Sequence, residues 1–276
     1  MRMRVLFTMV GLLGLAALSA QAYRLQFKDP QDAMRTLKGT MHMKGTMDMT
    51  MNMTTVEKVL AANADGTATI SYAIKDGKVV ITMTAPGETT PKTIEQPFPT
   101  FGMSFKRTAV GKISDLKMTG DIDPKLKQQL DTISSQLQYP GQGMVFPDKE
   151  LNIGDSWDGT QSFALLPGSK MDLKVKYTLT GTKEVNGKTY LVLTSDIDAK
   201  AKDLAMKVPG EAGAADTKLK MTMNIIGTGT TLYDVNAGEM GDVTFKMNTD
   251  MSVVSEGSDG MSMKMKMIMD GQMVRQ

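Results

Sequence analysis

The sequence predicts a mainly β protein of the α+β class, with one large antiparallel sheet curled into an open half-barrel and packed on one or two helices. Three observations predict it. Apolar and polar residues alternate with period two in most segments of the 276-residue chain. Turn dipeptides, Asp65-Gly66 and Asn186-Gly187 among them, punctuate those segments. One segment, and only one of any length, carries a helical apolar stripe: Leu126, Leu130, Ile133 and Leu137. Strands with one apolar and one wet face suit an antiparallel sheet rather than a doubly buried parallel one. A large open sheet of this kind curls, and the 126–137 stripe is expected to plug its concave side.

Residues 1–22 read as a signal peptide. Arg2 and Arg4 precede an apolar run from Val5 to Leu18, and Ala20-Gln21-Ala22 has the small-x-small form of a cleavage site. Cleavage is expected after Ala22, giving a single β-rich domain over 23–276 in the periplasm or outside the cell. No later run is long and apolar enough for an integral membrane span. The 32 basic residues lose Arg2 and Arg4 and become 30, matching the 30 acidic ones. A chain of zero net charge with 5% aromatics has neither the field nor the stacking surfaces for nucleic acid. There is no cysteine and one histidine, His42. Disulfides, thiolate metal sites and a cysteine nucleophile are thereby excluded.

Met41, Met43, Met47, Met49, Met51 and Met53 all fall on odd positions, with His42, Lys44, Asp48, Thr50 and Asn52 between them. In a strand this places thioethers on one face and polar groups on the other. Read as one strand, 41–53 would extend roughly 40 Å, with Gly45 as a bulge or bend. Asn63 to Gly66 forms a hairpin turn, and Thr67 to Met83 a strand with an interruption at Asp76-Gly77. Pro86 to Pro99 holds four prolines and reads as loop. Phe101 to Thr108 and Lys112 to Thr119 pair around Val110-Gly111.

Asp123 caps the principal helix, Pro124 opens it and Pro140-Gly141 stops it. Later, Leu173, Val175, Tyr177 and Leu179 alternate with polar residues, and Asn186-Gly187 joins that strand to Thr189–Ile197. A second, weaker helix covers Ala199 to Met206, followed by a loop over Pro209 to Asp216. Alternation returns at Leu219–Ile225, Phe245–Val253 and Met261–Met269.

The stretch Phe146 to Trp157 contains Gly154-Asp155-Ser156-Trp157, and Asp234, Gly238 and Phe245 follow at fixed spacing. With the methionine-rich strands before them, these resemble a family of uncharacterised bacterial exported proteins. More distantly, the sheet-plus-helix plan resembles the lipoprotein-carrier fold of LolA, LolB and LppX, which implies a space for acyl chains between sheet and helix. Trp157 itself is expected to anchor a strand start in the core, the alternative being a ligand-stacking ring at a pocket mouth.

Methionine numbers 27, several-fold above ordinary usage. Three readings stand for its alternating face. It is adaptable core, or the wall of a cavity for variable apolar ligands, or a set of soft ligands for Cu(I). Under the cavity reading the ligand-facing residues are Met47, Met49, Met51, Met221 and Met223, then Met263, Met265 and Met267, with Leu130 and Ile133 from the helix. Under the copper reading Met41 and Met43 are ligands, while His42 points to the opposite face. Spread through many ribbons at the strand period, the methionines fit core or cavity wall better than a copper cluster.

No catalytic pattern emerges. Ser156 lacks the second glycine of a nucleophile elbow, and Gly227-Thr228-Gly229 opens no helix. The expectation is a cofactor-free binding protein, not an enzyme, that holds a lipid-like or other hydrophobic small molecule. The alternatives are a periplasmic Cu(I)-binding protein, or an envelope component that takes a protein partner through a free strand edge.

Overall fold

The computed structural model describes residues 21–45, 48–83, 90–98, 100–119, 144–166, 169–208, 217–256 and 262–276. Within these residues, twelve strands form one antiparallel sheet. They are β1 (Met34–Lys44), β2 (Asp48–Ala62), β3 (Ala68–Met83), β4 (Lys92–Pro97), β5 (Gly102–Arg107) and β6 (Ile113–Thr119) in the first half. The second half holds β7 (Ser156–Leu166), β8 (Ser169–Val185), β9 (Lys188–Val208), β10 (Thr217–Asp234), β11 (Glu239–Glu256) and β12 (Ser262–Arg275). The order is β6-β5-β3-β2-β1-β12-β11-β10-β9-β8-β7, with β4 also paired to β3. Two meanders thus lie side by side and join where β1 pairs antiparallel with β12.

Several turns follow their sequence signals. Asp65 Oδ1 accepts from the Thr67 amide, and Gly66 takes φ +80° to close β2 onto β3. Asn186 and Gly187, at φ +52° and +74°, form the two-residue link between β8 and β9. Both residues need positive φ in the hairpin turn whose twist matches the flanking strands. The expected interruption near Asp76-Gly77 is a change of register, where Thr54 faces Asp76 but Thr55 faces Ile74.

Other expectations are corrected. The 41–53 run is not one strand. It doubles back between Lys44 and Asp48, so Met43 lies opposite Met49 and Met41 opposite Met51. Parity alone cannot tell a long strand from such a hairpin, because an antiparallel return keeps odd residues on the same face. Ala199–Met206 is not helical but continues β9. There Ala199 and Ala201 are buried at period two, and Ala201 faces Met223 of β10. Pairing with β10, and the burial of alternate alanines, outweigh the helical preference of a few alanines and lysines. Part of the Pro86–Pro99 segment is strand β4, with every residue exposed. Pro97 ends it, a place where an edge strand tolerates the missing N–H.

The sheet is open, and it is neither closed nor strongly curled. Its apolar face is covered instead by connecting segments. Leu25, Phe27, Met144, Phe146 and Leu151 pack with Trp157, Tyr177 and Tyr233 against β8–β10. A second cluster, around Val59, Ile70, Tyr72, Met103 and Phe105, lies under β2, β3 and β5. Without a curl, the analogy to the lipoprotein-carrier fold loses its geometric basis. Among the described residues there is no helix. The predicted helix at 123–138, with Leu130 and Ile133, lies outside the described residues, as do Met47 and the 209–216 loop.

Trp157 is a core anchor. It is 9% exposed, stacks on Tyr177 at 5.4 Å between centroids, and donates from Nε1 to the Val145 carbonyl at 2.9 Å. The preceding turn is held by Gly154 at φ +99° and by Asp155, whose Oδ2 accepts from the Asn152 amide. The second motif is also a turn: Asp234 Oδ1 accepts from the amides of Asn236 and Ala237.

Candidate binding face

Register partners in an antiparallel pair point to the same side of the sheet. Following the pairing across strands therefore lays out the face residue by residue. One row runs Met49, Met43, Met269, Met247 through β2, β1, β12 and β11. The next runs Met51, Met41, Gly271, Phe245. Further along β12, Met267 faces Thr249, Met265 faces Met251 and Met263 faces Val253. Those rows continue into β10, where Met251 faces Met223 and Val253 faces Met221. The structure thus brings methionines from five strands onto one continuous face.

Burial divides them. Met221 and Met223, at 6% and 7% exposure, belong to the core cluster under β8–β10. Met251 is partly buried against the same cluster, and Met53 against the other. Met41, Met43, Met49, Met51, Met265 and Met267 are half-buried, and Met263 is exposed. Two glycines let bulky neighbours lie flat here. A Cβ on Gly271 would sit 2.5 Å from the Phe245 ring, and one on Gly227 would sit 2.6 Å from Met247 Cγ.

The opposite face is mainly polar, with Ile226, Val254 and Ile268 exposed among its polar residues. His42 lies there, its Nδ1 3.1 Å from Thr50 Oγ1, and Thr40 donates to Asn52 Oδ1 at 2.9 Å. A groove of about 530 Å³ over β9–β11 is lined largely by Thr194, Asp196, Thr228, Thr230, Thr244 and Lys246. Ser195, Gly229 and Phe245 complete its lining, which is thus of mixed character.

Sequence reasoning missed a second constellation. Arg35 and Arg107, with side chains 9% and 5% exposed, lie between the carboxylates of Asp29 and Glu57. Arg35 Nη1 donates to Glu57 Oε1 at 2.6 Å and to Asp29 Oδ1 at 2.9 Å. Arg107 donates to both oxygens of Asp29 and both of Glu57, at 2.7 to 3.2 Å. Its guanidinium also lies 4.5 Å from the centroid of the Phe27 ring. Glu239 ties in Arg35 through Oε2 and Arg275 through Oε1. Three positive and three negative groups balance, so the cluster carries no excess charge for a ligand to neutralise.

Burial opposes ionisation of Asp29, but the hydrogen bonds and positive charge of Arg107 and Arg35 outweigh it and hold its carboxyl below the usual range. For both arginines, burial disfavours the charge, and the surrounding carboxylates reverse that and strengthen proton binding. No local signal marks the group, because its members come from positions between 29 and 275. The cluster ties the segment before β1 to β1, β2, β5, β11 and β12, and reads as a clamp.

Residues 36–239 match the sequence profile of DUF6263, a family of unknown function. The match spans most of the chain, and the chain belongs to that family. It includes both turn motifs, Gly154 to Trp157 and Asp234 to Gly238. A search among curated proteins finds no match.

Proposed function

We propose that this DUF6263 protein is exported and binds an apolar, lipid-like ligand on the half-buried methionine face of β2, β1, β12 and β11. The observation that carries the reading is the register. It gathers Met41, Met43, Met49, Met51, Met265 and Met267 on one side, outside both core clusters of the described residues. Contiguous apolar side chains that reach solvent are a common form of interaction site, and these six methionines are neighbours in register and half-buried. Thioether side chains, unbranched and polarizable, adapt to ligands of varied shape.

Export rests on Arg2, Arg4, the apolar run from Val5 to Leu18 and Ala20-Gln21-Ala22. Tyr23 donates to the Leu151 carbonyl at 2.8 Å and accepts from its amide at 2.9 Å. After cleavage following Ala22, the new terminal ammonium at Tyr23 still donates to Leu151. N-terminal sequencing of exported material is expected to start at Tyr23, and retained Met1 would reject this part.

Binding is tested by titrating the purified protein with a fluorescent long-chain fatty acid. Met265→Leu keeps the wall apolar and should keep binding. Met265→Lys places an ammonium on a half-buried position and should weaken binding while the circular dichroism spectrum stays strand-like. If the wild type takes up no probe, or if the lysine variant binds as well as the wild type, the reading is wrong.

A further inference from the structure

We propose that Met49, Met43 and Met269, one on each of three adjacent strands, form a thioether site for Cu(I). Met43 sits between the other two, paired with Met49 across β1–β2 and with Met269 across β1–β12. Directly opposite residues place their Cβ atoms about 4.5–5.5 Å apart. A methionine sulfur lies two bonds beyond Cβ and swings about flexible torsions. The outer two sulfurs can therefore converge on the middle one without moving the backbone. Met247, the next residue in the row, stands beside Met269.

The neighbouring row, Met51 and Met41, ends at Gly271, and three features suit this one to the ion. First, all three side chains are half-buried. They are neither locked in core packing, as Met221 and Met223 are, nor fully in solvent. Second, the ligands are uniformly soft. The chain's one histidine, His42, lies on the opposite face and contacts Thr50. The charged neighbours in sequence, Lys44, Asp48 and Asp270, have the parity of that opposite face. Third, no cysteine competes for the ion anywhere in the chain. Thioethers alone favour Cu(I) and disfavour Zn(II) or Mg(II), which prefer nitrogen and oxygen donors. The hairpin created the site, because Met43 and Met49 are neighbours only when 41–53 folds back on itself.

The inference goes beyond the apolar-ligand reading and does not depend on it. Leucine at these positions removes the sulfur lone pairs and keeps the apolar surface, so loss of the ion reports the thioethers and not the fold. The experiment adds Cu(I) anaerobically to the purified protein in competition with bicinchoninate, and repeats the titration with Ag(I). One ion per chain is expected to resist the competitor. Loss of a supporting group around a metal ligand costs about 10–100-fold in affinity, so losing a ligand itself should cost at least about 100-fold. Met43→Leu and Met269→Leu should each show that loss with an unchanged circular dichroism spectrum. Met118→Leu, on the distant strand β6, should bind as the wild type does.

Methionine-methyl NMR of the wild type gives a reading that needs no variant. On adding Ag(I), the Met43, Met49 and Met269 methyl signals should shift most. Failure of the wild type to hold the ion against bicinchoninate overturns the proposal. So does wild-type affinity in Met43→Leu, an equal loss in Met118→Leu, or methyl shifts confined to other methionines. Fatty acid uptake is measured separately on the metal-free wild type, so the apolar reading stands or falls whichever way the metal result goes.

Discussion

Arg35 and Arg107 are buried guanidiniums, and Asp29 and Glu57, each facing both of them, offset the cost of burying their charge. Breaking one side of such a cluster leaves an uncompensated charge out of water. Glu57→Gln is expected to lower stability by about 3–5 kcal/mol, measured by urea unfolding. Asp29 adds a pH dependence. Its carboxyl is held below the ordinary value of 3.8 in the folded state. The resulting stabilisation is therefore complete above the unfolded value and is lost as pH falls through the folded one. Melting temperature should drop below about pH 4, and the drop should be shallower in Asp29→Asn. A slope identical to the wild type in that window would contradict the assignment.

The hairpins illustrate what a few turn residues control. Gly187 sits at φ +74°, and a Cβ added there would meet nothing within 4 Å, so its requirement is conformational and not one of space. Gly187→Ala should cost about 1–2 kcal/mol, the usual penalty for a left-handed L-residue. Gly181, on β8, also has open space around it but no positive φ. Gly181→Ala is expected to be neutral, or to stabilise by about 0.4–1 kcal/mol through the unfolded chain. Thermal denaturation of the two variants checks the contrast, and equal effects would refute it. Such turns were legible because their chemistry is local. The fate of Ala199–Met206 was not, since its strand conformation depends on β10 alongside it.

Across the whole molecule, the sheet turns a uniform sequence pattern into positions of different character. Met49→Leu and Met265→Leu should each cost less than about 1.5 kcal/mol, because volume and polarity are kept. A carboxylate discriminates more sharply. Met223→Asp puts a charge into a core position of 7% exposure and should cost on the order of 3–5 kcal/mol. Met49→Asp, half-buried, should cost clearly less. Urea midpoints for the pair test this, and equal losses would mean that Met49 is packed as core.

Sequence by itself determined the parts of this protein that depend on neighbours along the chain. These are the strand period, the positions of tight turns, the opposite facing of His42 and Met43, and the anchoring of Trp157 behind Gly154-Asp155. Tertiary structure decided what depends on which strands meet. It folded the 41–53 run into a hairpin, set β1 against β12, left the sheet open, and gathered Asp29, Glu57, Arg35, Arg107, Glu239 and Arg275 into one cluster around two buried arginines. It also sorted methionines of identical parity into core, as at Met221 and Met223, and accessible face, as at Met43 and Met269. The physical reason is that period two assigns a side chain to a face of the sheet, whereas burial and ligand geometry depend on what lies beside and above that face. Those neighbours come from distant positions, and no local pattern encodes them.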